Sequence, residues 1–137
     1  MLKWKAGLSA GAVAVALSGC VSMPFMGGRY VMEDEIRTLF AGKTVYARNV
    51  RTDTQSVSYY TDDGQVRQLR NGRKRMGIWY VDPKGRMCLQ MDDALKASCR
   101  VVAMGDDGVV KKYRRSKKRW LLSVVYERFE PGNTKKL

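Results

Sequence analysis

Two runs of cations are the residues of this sequence with the clearest capacity for chemistry. Arg67, Arg70, Arg73, Lys74 and Arg75 share one nine-residue window without an acid, and Lys111, Lys112, Arg114, Arg115, Lys117, Lys118 and Arg119 fill a second. Like charges at this density repel one another and are retained most easily opposite a polyanion. Near an anionic surface each Lys or Arg contributes about 1 kcal/mol, fading within a Debye length. The competing use of such runs is a solvated strand edge on which Lys and Arg block pairing. The acids point elsewhere. Asp62-Asp63 and Asp106-Asp107 each precede a glycine, the arrangement that hairpin turns favour for backbone reasons. Asp92-Asp93 completes the set of acidic pairs, and no spaced loop ending in Glu resembles a calcium-binding EF-hand.

Composition narrows the chemistry further. The 137 residues contain 26 Lys and Arg, 13 Asp and Glu and no His, for a net charge of +13, yet 45% are hydrophobic. An apolar fraction of that size belongs to a globular domain and excludes a disordered polycation. The absence of His removes the commonest general base, proton shuttle and metal ligand together. No catalytic residue, metal ligand or cofactor is expected. An enzyme would need a carboxylate pair, a Ser-Lys dyad or an oxygen-held metal, and the acids sit mainly in turns. Trp79, Tyr80, Trp120 and Tyr126, with Tyr59 and Tyr60, are either core or a stacking platform beside the arginines, and strands favour core. Gly77-Ile78-Trp79 is similar to the Gly-x-Trp of lipocalins, over three residues in mid-chain.

The N-terminus carries an address. Lys3 and Lys5 precede an apolar stretch from Ala6 to Leu17 and then small residues, the layout of a secretory signal peptide over residues 1–19. That stretch is shorter than the roughly 20 residues a membrane-spanning helix needs. Leu17-Ser18-Gly19-Cys20 resembles the lipobox of bacterial lipoproteins. The resemblance implies that Cys20 becomes the first mature residue, lipidated on sulfur and acylated on its amine, and two or more chains anchor stably. By the same resemblance Val21, in place of the Asp that retains lipoproteins at the inner membrane, favours the outer membrane, with the domain facing the periplasm. Loss of Lys3 and Lys5 takes the mature charge from +13 to +11. With Cys20 lipidated, Cys88 and Cys99 remain as an even pair in an oxidising space. A bridge across their ten intervening residues would stabilise by about 2–3 kcal/mol, and two buried free thiols are the alternative.

The elements that position these residues follow from periodicity. Residues 20–32 hold the lipidated cysteine and then Pro24 and Gly27-Gly28, and read as a tether to a single domain over 33–137. Glu33, Asp34 and Glu35 suit a first helical turn, Met32, Ile36, Leu39 and Phe40 share one face, and Gly42 is placed to end the helix. Strands are expected at 44–50, 56–60, 65–70, 76–81, 86–91, 99–104, 109–114 and 120–129. Connections so short exclude parallel crossovers. The fold class is therefore mainly β, a short N-terminal helix plus an antiparallel meander of about eight strands forming a small barrel or a strongly curved sheet. Because each basic run spans a strand end and the next turn, the charges should gather at one end or edge of the sheet.

A set of segments in fixed order resembles a family of small extracytoplasmic bacterial β-domains of unknown function. It comprises Glu35-Ile36, Leu39-Phe40-Ala41-Gly42-Lys43-Thr44-Val45, Tyr60, Asp63-Gly64, Gly77-Ile78-Trp79-Tyr80-Val81, Gly85-Arg86-Met87-Cys88 and Cys99-Arg100-Val101-Val102. The resemblance covers roughly residues 33–115 and implies a β-rich fold with a Cys88–Cys99 bridge. It brings no catalytic residues, and the basic density of residues 111–119 departs from its pattern. The expected function is a lipid-anchored, non-enzymatic envelope protein whose basic runs contact lipopolysaccharide, phospholipid head groups, peptidoglycan or an acidic protein. Inhibition of a secreted hydrolase is the alternative, followed by a His-independent enzyme, and nucleic acid is a minor option at this address.

Overall fold

A computed structural model describes residues 28–137 and, for the backbone alone, Ser22–Met23. The expected signal peptide, Cys20 and its lipid lie outside the described residues. Among the described residues no helix is long and apolar enough to cross a membrane.

Ten strands and one helix form in the order β1 (Ser22–Met23), β2 (Gly28–Tyr30), α1 (Glu33–Phe40), β3 (Lys43–Asn49), β4 (Thr54–Tyr60), β5 (Gln65–Arg70), β6 (Arg73–Val81), β7 (Met87–Met91), β8 (Ser98–Gly105), β9 (Val110–Ser116) and β10 (Arg119–Pro131). From β3 to β10 each strand pairs antiparallel with the next, and β10 returns to β3, closing an eight-stranded up-and-down barrel. Closure removes the unpaired edges that a curved open sheet of these strands would expose. The segment expected to be only a tether differs. Gly28–Tyr30 pairs with Ala103–Gly105 of β8, and Ser22–Met23 folds back on Gly28 and Arg29, so the folded body begins before residue 33. These few residues carry no two-residue periodicity, and the edge of β8 supplies their pairing.

Helix α1 closes one end. Its first turn holds Glu33, Asp34 and Glu35, where the helix dipole favours anions, and Ile36 and Phe40 are fully buried. The Phe40 ring meets Tyr60, Tyr126 and Phe129 edge-on at centroid distances of 5.2, 4.9 and 5.3 Å. Tyr60 continues this cluster to Trp79 at 5.7 Å, and the Trp79 indole donates to the Thr61 carbonyl at 3.0 Å. Gly42 ends the helix at φ 69, as its position predicts, and donates to the Tyr60 carbonyl at 2.7 Å. Arg29 of β2 grips Glu35 with two nitrogens at 2.7 and 2.6 Å, fixing the helix to the outer strand. Gly77 is required where β6 meets β7, because a Cβ there would lie 2.3 Å from the Gln90 carbonyl oxygen.

Cys88 and Cys99 face each other across β7 and β8 and form the disulfide, with Cα atoms 4.0 Å apart. Asp82 lies close to both sulfurs, but bonded sulfurs are not thiolates and the trio offers no metal site.

Candidate functional site

An up-and-down barrel puts alternate turns at the same end. The turns after β3, β5, β7 and β9 therefore gather at one mouth, while α1 and the turns after β4, β6 and β8 gather at the other. Asn71-Gly72 and Lys117-Lys118, the turns inside the two basic runs, are both at the open mouth, so the turn-proximal cations of the runs converge, whereas Lys111 and Lys112 open β9 toward the plugged end. The acids Asp62, Asp63, Asp82, Asp106 and Asp107 occupy turns at the helix-plugged end, beside the acidic first turn of α1. The molecule is electrically polarised along the barrel axis. Of the turn acids at the basic mouth, Asp53 is paired with Arg48 at 3.4 Å and Asp93 with Arg75 at 2.7 Å, while Asp92 is exposed.

The two turns share a geometry but not a composition. Asn71-Gly72 has φ values of 51 and 71, and Lys117-Lys118 has 46 and 67. Left-handed backbone at two successive residues is the hairpin conformation that Asn-Gly adopts readily. Two lysines adopt it at a cost of about 1–2 kcal/mol each. The chain thus keeps exposed charge at a position where strain disfavours it.

Side-chain alternation then divides each run. Arg70 and Arg73 face one another across the Asn71-Gly72 turn, and Arg70 lines the barrel interior. Arg75 also points inward, where it donates to both Asp93 carboxylate oxygens and to the Gln68 side-chain oxygen. Arg67 points outward and gives one nitrogen to the Leu137 carbonyl, while Lys74 is exposed on the outer wall. In the second run Lys117, Lys118 and Arg119 are exposed, Lys111 is half-buried, and Arg115 stacks on Trp120 at 5.3 Å. Lys112, read from the sequence as one cation of an anion-contacting run or solvated edge, departs from that reading. It is 3% exposed, inside the barrel, with its ammonium 5.9 Å from the Tyr126 ring centroid. The alternation of β9 forces this, because Val110 and Lys112 lie on one face of the strand. Burial, then the neighbouring charge of Arg100, pulls the Lys112 amine down to about 7.

Two cavities meet at a gap in the barrel wall. Strand β8 pairs with β9 only over Val101–Met104, although β8 begins at Ser98 and β9 continues to Ser116. Continuing the register would place Arg100 directly opposite Arg114, and like charges in that position destabilise a ladder. The strands separate there. Inside the mouth lies a cavity of about 270 Å³, lined by Arg70, Arg75, Lys96, Arg100 and Lys112 among neutral side chains such as Ser56 and Gln68. Outside the gap runs a groove of about 610 Å³ with Arg86, Arg100, Arg114 and Arg115 beside Tyr30, Tyr113 and Trp120. Arg100 lines both, and its buried Nε has no hydrogen-bond partner among the described residues. Burial, then the charges of Arg114 and Arg86, depresses its affinity for a proton.

Arg100 is the functional candidate that reading by charge runs overlooks, since its neighbours in sequence are Cys99 and Val101. The one signal is alternation: Ser98, Arg100 and Val102 occupy a single strand face that should be apolar throughout in an ordinary core. Of the aromatics singled out in the sequence, Tyr60, Trp79 and Tyr126 are core, Tyr80 is exposed, and Trp120 joins Tyr30 and Tyr113 in the basic groove. No family model matches the chain, and no curated protein matches it.

Proposed function

We propose that this chain is a non-enzymatic envelope lipoprotein, anchored at the outer membrane through Cys20 and facing the periplasm, whose basic barrel mouth contacts an anionic envelope partner. The observation that carries this reading is the convergence of the turns of both basic runs, with the cations beside them, on one end of the barrel, opposite the end that holds most of the acidic turns. The strained Lys117-Lys118 turn adds independent support, because a merely solvated hairpin would be more stable with Asn-Gly. A phosphate-bearing lipid surface is the favoured partner. The exposed cations of the Lys117–Arg119 turn suit a surface that presents many phosphates at once.

The test is co-sedimentation of the unlipidated chain from Val21 onward with vesicles containing phosphatidylglycerol or lipopolysaccharide. Binding is expected at about 20 mM salt and release as the Debye length shortens. Reversing Lys117, Lys118 and Arg119 to Glu should weaken binding by about a hundredfold, at about 1 kcal/mol for each lost cation. Binding that ignores salt, or none at the lowest salt, would overturn the reading.

A further inference from the structure

Most of the chain's cations have an ordinary fate in water or, like the inward-facing Arg75, against a carboxylate, but two inside the barrel do not. No carboxylate is among the described residues that line the interior cavity. Lys112 is nearly fully buried, points into that cavity and makes no ion pair among the described residues. Arg100 stands two residues from Val102, the cross-strand partner of Lys112, and so shares its inward face. Its buried Nε is likewise unpartnered among the described residues. Buried charge is tolerated when it is paired, and here the protein brings two cations together without supplying the anion.

We propose that this cavity is a binding site for a phosphate monoester group, held between the Lys112 ammonium and the Arg100 guanidinium and reached through the gap between β8 and β9. The charge argues for this anion. Arg100 gives one terminal nitrogen to the Cys99 carbonyl at 3.0 Å, but two cations without a counter-ion among the described residues, with Arg70 at the rim, call for more than one negative charge, and a phosphate monoester carries about −1.5 to −2 near neutral pH where a carboxylate carries one. The donors also fit, since three terminal oxygens accept from a guanidinium fork and from an ammonium at once. A cavity of about 270 Å³ lies at the lower edge of small-ligand sites, which limits the ligand to a phosphorylated headgroup or a small phosphorylated polyol. The site goes beyond the surface reading above, because it needs no membrane.

The barrel is closed by β3–β10 and plugged by α1, all of which the chain from Val21 retains. Titration of that chain with inorganic phosphate and with glycerol 3-phosphate, at constant ionic strength set by chloride, should give saturable heats and a rise in Tm. Lys112→Met and Arg100→Gln should each lower phosphate affinity about tenfold or more, as loss of a charge-assisted contact requires. Lys117→Glu with Lys118→Glu should leave it unchanged. On the unaltered protein, phosphate should shield Lys112 from an amine-acylating reagent, read by mass spectrometry, which keeps the test decisive if a variant fails to fold. Vesicles with phosphatidic acid distinguish a lipid source: competition with free phosphate that Lys112→Met abolishes assigns the headgroup to this site, and absence of competition assigns the site to soluble phosphate esters. Equal stabilisation of the unaltered protein and Lys112→Met, or no saturable binding of either phosphate compound, would overturn the proposal. Vesicle binding that fails while phosphate binds would overturn only the surface reading.

Discussion

Replacing Lys112 with Met removes an ammonium from the barrel interior while keeping an unbranched side chain of similar length. The native amine is displaced from 10.5 to about 7, with burial the larger cause and Arg100 the second. At about 1.36 kcal/mol for each pKa unit, holding that charge inside costs about 4–5 kcal/mol wherever the folded protein keeps it protonated. The folded value lies below the unfolded one, so between pH 7 and about 10.5 the unfolded chain binds the extra proton and stability rises with pH. Below pH 7 the cost is full and constant. From pH 6 to pH 9 the native protein should therefore gain about 2–3 kcal/mol, and Lys112→Met should show no such gain. The window is clean. The sequence has no His, Cys88 and Cys99 are bridged, and burial holds the Tyr126 hydroxyl beside Lys112 well above its ordinary value. The other charged groups facing the cavity, Arg70, Arg75, Arg100 and Lys96, are cations. Urea unfolding in phosphate-free buffer at pH 6 and pH 9, followed by tryptophan fluorescence, measures the difference. At pH 6 the variant should be the more stable protein by about 2–4 kcal/mol, with the margin narrowing at pH 9. Parallel pH profiles for the two proteins would refute the reasoning, since they would mean that folding does not lower the affinity of the Lys112 amine for its proton. Adding phosphate at pH 6 should stabilise the native protein and leave Lys112→Met unmoved.

Two further outcomes test the scaffold that positions the site. Removing the bridge with Cys88→Ala and Cys99→Ala together should lower unfolding free energy by about 2–3 kcal/mol, measured by denaturant titration beside the unaltered chain. Phe40→Ala should lower it by about 3–5 kcal/mol, because it leaves a cavity where four aromatic rings meet at the plugged end. A loss under about 1 kcal/mol would show that α1 is not part of the cooperative barrel.

Much of the fold is legible in the residues. Period-two patterning and the Asp-Gly and Asn-Gly turns place the eight barrel strands, and the spacing of Ile36 and Phe40 with Gly42 places the helix. Short connections dictate antiparallel neighbours, and because alternate turns of a meander share an end, they also bring the turns of the two basic runs together. Cysteine parity raises the bridge as an option, and the alignment of Met87–Leu89 with Ser98–Arg100 makes it real. The site itself is less legible. A run of cations carries no mark of which members turn inward, and the sequence of Lys111 and Lys112 treats them alike. Closure of the barrel separates them, because only a closed wall gives the inner strand face an interior that water reaches through a mouth. The same closure gives Arg100 its meaning. Isolated in sequence between Cys99 and Val101, it gains Lys112 as a neighbour and Arg114 as an opponent only when β8 and β9 meet. The sequence alone determined that the chain is a basic, histidine-free β-domain with its charge in two places. Tertiary structure decided which of those charges are buried without a counter-ion, since burial and pairing depend on contacts between strands far apart in the chain.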